Sequence, residues 1–369
     1  MCAAPALYVH LGLPKTGTSY LQSICDHSEA ALAAQGLTLL PRPGTTAFQV
    51  MLDVREELRP ELDAPEAFGA LDRLAQQVRE LTTPRALLSQ ELFCLASAEQ
   101  AGRLVGALDA EVHVVVTVRD LATQLPSLWQ QHVKARGVTP YEGFLDRVTS
   151  EDTGQARGYD VLAVLAQWRE HVPPERTHIV AVPPRGAGPE DLLARFCGVI
   201  GVDPGSLDTD HVEGNPSLGM VQAELLRRVN LALGDRLPHA RAGYRGPGKR
   251  FLAETILIQQ EGAPPRLPER ARPWVEERSR QVVESLGSGG YDVVGDLSEL
   301  LPGDAAPVEA TPVSDAELLD AATEALAAIL AERAEDRGRL RRQIRRQRQR
   351  IAELEAGLRE GGLLRRLRR

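Results

Sequence analysis

Residues 12–19 read Gly12-Leu13-Pro14-Lys15-Thr16-Gly17-Thr18-Ser19, and this stretch decides the fold. The run before it, residues 6–11, is short, apolar and rich in residues that favour strands. After it, apolar residues recur near helical spacing through residue 34. A strand, a glycine-containing turn and a helix together aim backbone N–H groups at an anion. The stretch therefore predicts an α/β fold whose first turn binds a phosphate group.

The position of the lysine separates this loop from the loops of nucleotide-hydrolysing proteins. Such a loop has its lysine directly after the second glycine. Here Thr18 holds that position, and the lysine comes two residues before Gly17. Four side chains add donors for an anion: Lys15, Thr16, Thr18 and Ser19. We therefore predict phosphate binding of a different kind from that of an ATPase or GTPase.

A second candidate phosphate motif begins where another predicted strand ends. Residues 112–118 are a continuous run rich in β-branched residues, which is typical of a strand buried on both faces. Arg119 follows the run directly, and Ser127 comes eight residues later in a predicted helix. A terminal phosphate is bound well by a permanent planar cation with a hydroxyl alongside. Arg119 and Ser127 are therefore candidates to bind a second phosphate.

Both motifs resemble those of sulfotransferases that use 3′-phosphoadenosine 5′-phosphosulfate (PAPS). In that family a loop like Pro14–Ser19 binds the 5′-phosphosulfate, and an arginine and a serine eight residues apart bind the 3′-phosphate. The match is incomplete, because Asp120-Leu121 stands where the family often has Asn-Pro. The resemblance spans roughly residues 5–302. It implies PAPS as the donor, 3′-phosphoadenosine 5′-phosphate (PAP) as the product, and no metal.

The resemblance also implies roles for individual residues. Cofactor binding falls to Pro14, Lys15, Thr16, Gly17, Thr18, Ser19, Arg119 and Ser127. Lys15 is in addition the residue expected to stabilise charge on the departing phosphate. Glu91 follows a predicted strand where several carbohydrate-type sulfotransferases carry a catalytic glutamate, so it is the candidate general base. The alternatives are that Glu91 starts a helix or shapes its loop, or that His10 or His132 is the base.

A third basic segment lies in the second half of the chain. Residues 245–250 read Arg-Gly-Pro-Gly-Lys-Arg and precede a predicted helix over 248–261. The segment is similar to the basic glycine loop that reaches the 3′-phosphate in this family, although the family's usual order is Arg-Lys-Gly. We therefore predict Arg245 and Lys249 as further cofactor-binding residues. The alternative is a solvated loop.

The order of predicted elements gives the architecture. Strands are predicted at 6–11, 36–40, 85–89, 112–118 and 177–182, alternating with helices. This alternation predicts a parallel sheet with helices on both faces. Because Lys15, Glu91 and Arg119 each follow a strand, we expect them to meet at the carboxyl edge of the sheet. With the resemblance, the predicted fold is a P-loop-like α/β domain over residues 1–302 with a helical second half.

The C-terminal segment differs in composition from the rest. A linker is predicted at 303–314 and an Arg-rich helical tail at 315–369. Leucine and isoleucine recur in the tail as an interrupted heptad stripe, which indicates either a coiled coil between copies of the chain or a solvated single helix. Residues 333–369 carry 14 arginines and 5 acids, a net charge of +9 on a chain of −8. Such a tail could bind anionic lipid, nucleic acid or the body of the protein itself, or it could remain solvated, and we expect no specific nucleic-acid partner.

Composition excludes several classes of protein. No run of 18 apolar residues predicts a transmembrane span, and no signal peptide is visible. The four cysteines are too scattered for a zinc site or a redox motif. We therefore expect a cytoplasmic protein, with peripheral contact to the inner face of the membrane if the tail binds lipid.

These observations predict a PAPS-dependent sulfotransferase acting on a hydroxyl or amine of a small-molecule, lipid or carbohydrate acceptor. Two alternatives remain. A kinase or NTPase of the wider P-loop class would need the lysine after Gly17 and a strand ending in a metal-binding aspartate, and neither is evident. A catalytically silent nucleotide-binding scaffold would use the tail to assemble.

Overall fold

The computed structural model describes residues 4–150, 159–184, 186–211, 217–237, 240–303 and 312–366. At its centre six strands form one sheet in the order β2-β3-β1-β4-β5-β6, and all paired neighbours are parallel. They are β1 (Ala6–His10), β2 (Leu37–Leu40), β3 (Arg85–Ser89), β4 (Glu111–Val118), β5 (Thr177–Ala181) and β6 (Asp292–Val294). The first five confirm the predicted strands. The sixth was not predicted, because three residues are too few to show a periodicity.

Helices cover both faces of the sheet, as predicted. They are α1 (Thr18–His27), α2 (Glu29–Ala34), α3 (Ala47–Val54), α4 (Ala70–Arg79), α5 (Ala98–Ala107), α6 (Leu121–Lys134), α7 (Tyr141–Thr149), α8 (Val161–Trp168), α9 (Pro189–Ile200), α10 (Met220–Leu233), α11 (Arg272–Ser288) and α12 (Asp315–Arg366). Successive strand residues point to opposite faces. Leu7 and Val9 of β1 join a core with α3, α4, α5, α8 and α11, whereas Tyr8 packs toward α1, α2 and α9. The predicted α/β architecture is confirmed.

Three local predictions were wrong. The single helix expected over 18–34 is broken at Ser28, and the short helices α3 and α7 were missed. The segment 245–250 is not a loop, because it lies inside a π-helix, Ala240–Ile256. Tyr244 anchors this π-helix: it is 1% exposed and its hydroxyl donates to Asn230 Oδ1 of α10 at 2.5 Å. Tertiary packing of this kind overrides the helix-breaking tendency of Gly246, Pro247 and Gly248.

The strand order fixes where a ligand can enter. After β1 the chain continues to β2, toward one edge of the sheet, and after β4 it continues to β5, toward the opposite edge. The loops after β1 and β4 therefore part at the carboxyl edge and leave a crevice between these two adjacent strands. Ligands of open α/β sheets bind at such a point. Residues 12–17 and Arg119 flank it.

A second hydrophobic cluster lies beside the sheet and holds the C-terminal helix. It combines side chains of α6, α7, α10, the π-helix, α11 and α12. The linker prediction falls mostly on 304–311, outside the described residues. Among the described helices, none has both the length and the apolar character that crossing a membrane requires.

Candidate active site

The loop after β1 depends on three residues with left-handed backbone. Gly12, Lys15 and Gly17 have φ angles of 49°, 71° and 91°. Glycine is required at position 12, because a Cβ there would overlap the Thr18 hydroxyl. Gly17 caps α1 without any side-chain hydrogen bond to the first turn. The N–H groups at the start of α1 therefore keep their capacity for an anion.

Buried hydrogen bonds fix the loop to β4 and α6. The Thr16 hydroxyl donates to Leu13 O at 2.5 Å and lies 2.6 Å from the Thr117 hydroxyl, and Leu13 N donates to Thr117 O at 3.3 Å. The Gln124 amide of α6 donates to Pro14 O at 2.9 Å. Because the Thr16 proton is committed within the protein, its side chain holds the loop and only its backbone is left for a ligand.

Two hydroxyl groups of the first turn differ in their surroundings. Thr18 is 3% exposed, and its Oγ1 has no hydrogen-bond partner among the described residues. Leaving a buried hydroxyl unpaired costs about 1–3 kcal/mol. A phosphate oxygen in the loop would supply the missing acceptor. Ser19 is exposed at the same helix end.

The second motif meets the first through its arginine. The Arg119 guanidinium donates to the Lys15 carbonyl at 3.3 Å, across a separation of 104 residues. Asp120 caps α6 by accepting a hydrogen bond from Thr123 N at 2.8 Å. Ser127, partly buried two turns into α6, donates to Thr123 O at 3.1 Å. The structure thus brings Arg119 to the loop, while the Ser127 proton is used inside its own helix.

Glu91 and Lys15 influence each other at the same edge. Glu91 opens a 3-10 turn, Glu91–Leu95, directly after β3. Burial raises the pKa of Glu91, and the charges of Lys15 and Lys249 oppose that rise. Burial lowers the pKa of Lys15, while the charge of Glu91 raises it and those of Lys249 and Arg119 lower it further. A carboxylate whose pKa burial has raised, beside a cation, suits a group that must accept a proton.

The three lysines of the chain lie close enough for their charges to act on one another. Of 43 basic residues only Lys15, Lys134 and Lys249 are lysines. Lys134 is 6% exposed, burial lowers its pKa, and the charges of Lys15 and Lys249 act on it. Lys249 projects from the π-helix and is half-buried, whereas Arg245 of the same helix is exposed. The structure therefore groups Lys249, but not Arg245, with the lysine of the loop.

Gln124 and Lys134 were not predicted from the sequence. Two signals could have found them. Gln124 and Lys134 lie three residues before and seven residues after Ser127, which places all three on one face of a helix. Lysine is rare in this arginine-rich chain, so each lysine is a candidate for a position that suits a compact ammonium better than a planar guanidinium.

A cavity of about 200 Å³ opens beside Arg119 at the same edge. Two aromatic side chains, Tyr159 and Trp274, line it together with apolar residues of α6 and α11. The Gln124 Oε1 and Ser279 Oγ atoms are buried at its wall without a partner among the described residues. The crevice therefore continues into a mainly apolar space with a few unpaired polar groups.

Neither histidine proposed as an alternative base faces the loop as a free base. The His10 ring is fully buried between Ser89 Oγ, at 2.8 Å from Nδ1, and Thr117 Oγ1, at 3.4 Å from Nε2. It is a core histidine of β1. The His132 ring packs against Phe144 of α7, 5.9 Å between centroids, and burial lowers its pKa. On α6, positions 132 and 127 point in different directions.

Replacing His10 with asparagine should change how stability depends on pH. Burial lowers the pKa of His10 from 6.5 to about 3. Below about pH 6.5 the unfolded chain therefore binds a proton that the folded protein does not bind. From this ring alone, the free energy of unfolding of the wild type falls by about 2 kcal/mol between about pH 6.5 and pH 5. The variant has no such ring and does not lose this stability. The difference in free energy of unfolding between wild type and variant, measured by urea unfolding, should therefore become smaller as the pH falls. A difference in free energy of unfolding that does not depend on pH would contradict this prediction. The control is His27→Asn, at the exposed end of α1.

Comparisons with known proteins return structural similarity only. No protein-family model matches the chain, and no curated protein matches its sequence. A sulfotransferase from Alicyclobacillus acidocaldarius shares 15% identity over 58% of this chain and 87% of that one, with a TM-score of 0.37. Mouse sulfotransferase SULT7A1 complexed with PAP shares 12% identity over 61% of this chain and 64% of that one, with a TM-score of 0.32. The sulfotransferase domain from the curacin biosynthetic pathway shares 14% identity over 79% of this chain and 99% of that one, with a TM-score of 0.35. At these values the similarity does not decide the activity, and the functional assignment rests on the geometry of this chain.

Proposed function

We propose that this protein is a sulfotransferase that transfers a sulfuryl group from PAPS to a hydroxyl or amine of a small-molecule, lipid or carbohydrate acceptor. The observation that carries the proposal is the hydrogen bond from Arg119 to the Lys15 carbonyl. It joins two candidate phosphate-binding motifs, far apart in sequence, at the switch point of the sheet. A nucleotide phosphorylated at both its 3′ and 5′ positions needs two such anion sites close together.

The residues present fit such a ligand. The uncapped start of α1 and the unpaired Thr18 hydroxyl supply donors for the 5′-phosphate. Arg119 would hold the 3′-phosphate, because a guanidinium pairs with phosphate through two parallel N–H donors. Bound anions would also favour the charged form of Lys15, whose pKa burial lowers in the free protein.

The proposed chemistry assigns one task to each charged group. In the transfer, the acceptor oxygen bonds to sulfur as the bond between sulfur and the 5′-phosphate oxygen breaks. Lys15 and the loop N–H groups face the negative charge that grows on the departing phosphate. Glu91 takes the proton of the acceptor hydroxyl, and burial prepares it by raising its pKa. Lys134 and Lys249 add positive charge around Glu91 and Lys15.

Isothermal titration of the full chain with PAP tests the proposal. We expect saturable binding that competes with PAPS and needs no magnesium. Adenosine 5′-phosphate should bind more weakly, because it lacks the 3′-phosphate. If PAP does not bind at about millimolar concentration while magnesium-ATP is bound and hydrolysed, the loop belongs to an NTPase. If PAP binds but no acceptor in a broad panel is sulfated, the protein is a binding scaffold.

Arg119→Ala should weaken PAP binding far more than binding of adenosine 5′-phosphate. A hydrogen-bonded ion pair to phosphate is worth roughly 1.5–3 kcal/mol, so we expect about a 10- to 100-fold loss for PAP. Titration of both nucleotides against the variant measures the difference. Equal losses would show that Arg119 only supports the loop through its bond to Lys15. Arg169→Ala, an exposed arginine at the end of α8, is the control and should change neither affinity.

A further inference from the structure

The first half of α12 presents two apolar faces, and the body of the protein covers only one of them. Leu318, Ala321 and Ala325 are 6%, 5% and 4% exposed against the body. The carbonyl of Ala321 accepts a hydrogen bond from the Gln260 side chain at 2.9 Å, which fixes that face. On the other face Leu319 and Leu326 remain 67% and 62% exposed.

The uncovered face continues along the helix as a regular stripe. Its described members are Leu319, Leu326, Leu330, Leu340, Ile344, Ile351 and Leu354, each at least 40% exposed. They fall at the two core positions of a heptad, and in the second half leucine occupies one position and β-branched isoleucine the other. A stripe this narrow and this regular fits one neighbouring helix better than it fits a flat surface.

Arginine or glutamine interrupts the stripe at positions 333, 337 and 347, and Thr323 stands at one further core position. The Arg333 side chain points toward the body, because its guanidinium lies over the Phe251 ring of the π-helix, 5.2 Å from the ring centroid. Arg337 and Gln347 remain at core positions. In a parallel pair each would face its own copy, and two arginines would meet in the core.

The charge of α12 divides into two halves of opposite sign. Residues 315–336 carry seven acids and one arginine, whereas residues 337–354 carry eight arginines and one acid. A parallel pair would place each half against a half of its own sign. An antiparallel pair places the acidic half against the arginine half of the partner, which favours association and fixes its direction.

We propose that the exposed stripe of α12 binds a second copy of this chain in an antiparallel coiled coil. One register that brings no arginine against an arginine, and that overlaps most of the helix, aligns Leu326 with the partner's Ile351 and Arg337 with the partner's Leu340. A helix of 52 residues is about 80 Å long, so this overlap leaves the two bodies at opposite ends of the pair. None of the described stripe residues lines the cavity at the carboxyl edge of the sheet.

Light scattering after gel filtration of the full chain tests the association. We expect the mass of a dimer, twice 40.2 kDa. Leu340→Asp with Ile344→Asp should give monomers with unchanged PAP binding, because the stripe lies outside the site. Gln349→Asp with Ala352→Asp adds the same charges off the stripe and should stay dimeric. A monomeric wild type overturns the proposal, and if it binds vesicles containing phosphatidylserine, the stripe is a membrane contact instead.

Engineered cysteines test the direction. Cys25, Cys94 and Cys197 are buried, so a Cys2→Ser background isolates the new thiols. Leu326→Cys and Ile351→Cys variants should each resist oxidative crosslinking alone and form a mixed disulfide after subunit exchange. In a parallel dimer Leu326→Cys would crosslink to itself, and that result would overturn the antiparallel arrangement.

Discussion

Lys15→Ala should lower the rate of sulfuryl transfer about 1,000-fold and leave the fold intact. The lysine is the cation of a loop whose other donors are backbone N–H groups and the Thr18 hydroxyl. Removing one preorganised donor from developing charge costs on the order of 3–4 kcal/mol in the barrier. Alanine keeps a Cβ on the left-handed backbone of position 15, so the loss can be assigned to the amine.

Single-turnover transfer from sulfur-labelled PAPS measures this effect separately from binding. We expect the loss mainly in the rate at saturating PAPS, with a smaller change in PAP affinity, because Lys15 is proposed to act on charge that develops during transfer. Lys15→Arg keeps the charge but changes its shape and should recover only part of the rate. Normal turnover in the alanine variant would remove Lys15 from the mechanism.

Glu91→Gln should slow transfer to a hydroxyl acceptor by about 100- to 10,000-fold without weakening PAP binding. The substitution keeps the size of the side chain and removes the carboxylate that we propose as the proton acceptor. It also removes a negative charge that favours the charged form of Lys15, so the pKa of Lys15 should fall in the variant. Glu99→Gln, an exposed glutamate in the first turn of α5, is the matched control.

The pH dependence of transfer gives a second measure of Glu91. A base works in its charged form, so the wild-type rate should fall as the pH drops through the pKa of Glu91. Burial raises that pKa above the usual 4.5, so the fall should begin at a higher pH than for an exposed glutamate. In Glu91→Gln this acid limb should vanish. An unchanged rate and an unchanged profile would mean that Glu91 only shapes its turn.

Much of the fold could be predicted because its signals are local. The run at 112–118 showed a doubly buried strand, and Gly12 and Gly17 bracket a turn that few other residues can form. By contrast, α3 and α7 are short helices whose boundaries depend on tertiary packing, which also holds the π-helix together across Gly246–Gly248.

The site could be predicted only where a motif names it. The loop and Arg119 are recognised by residue type and spacing, and the structure brings them within hydrogen-bond distance. Lys134 belongs to no motif, and its position near Lys15 and Lys249 depends on how α6 packs beside the π-helix. The stripe of α12 was visible as a heptad, but which face of the helix the body covers is a tertiary fact.

The left-handed backbone of Lys15 sets a limit on how stable this protein can become. In the folded state this conformation raises the free energy of a non-glycine residue by roughly 1 kcal/mol, and glycine at the same position would avoid that strain. Selection for thermal stability alone would therefore favour Lys15→Gly, which removes the side-chain amine. On the proposed function, this conformational cost is the condition for holding the cation in position before a ligand arrives.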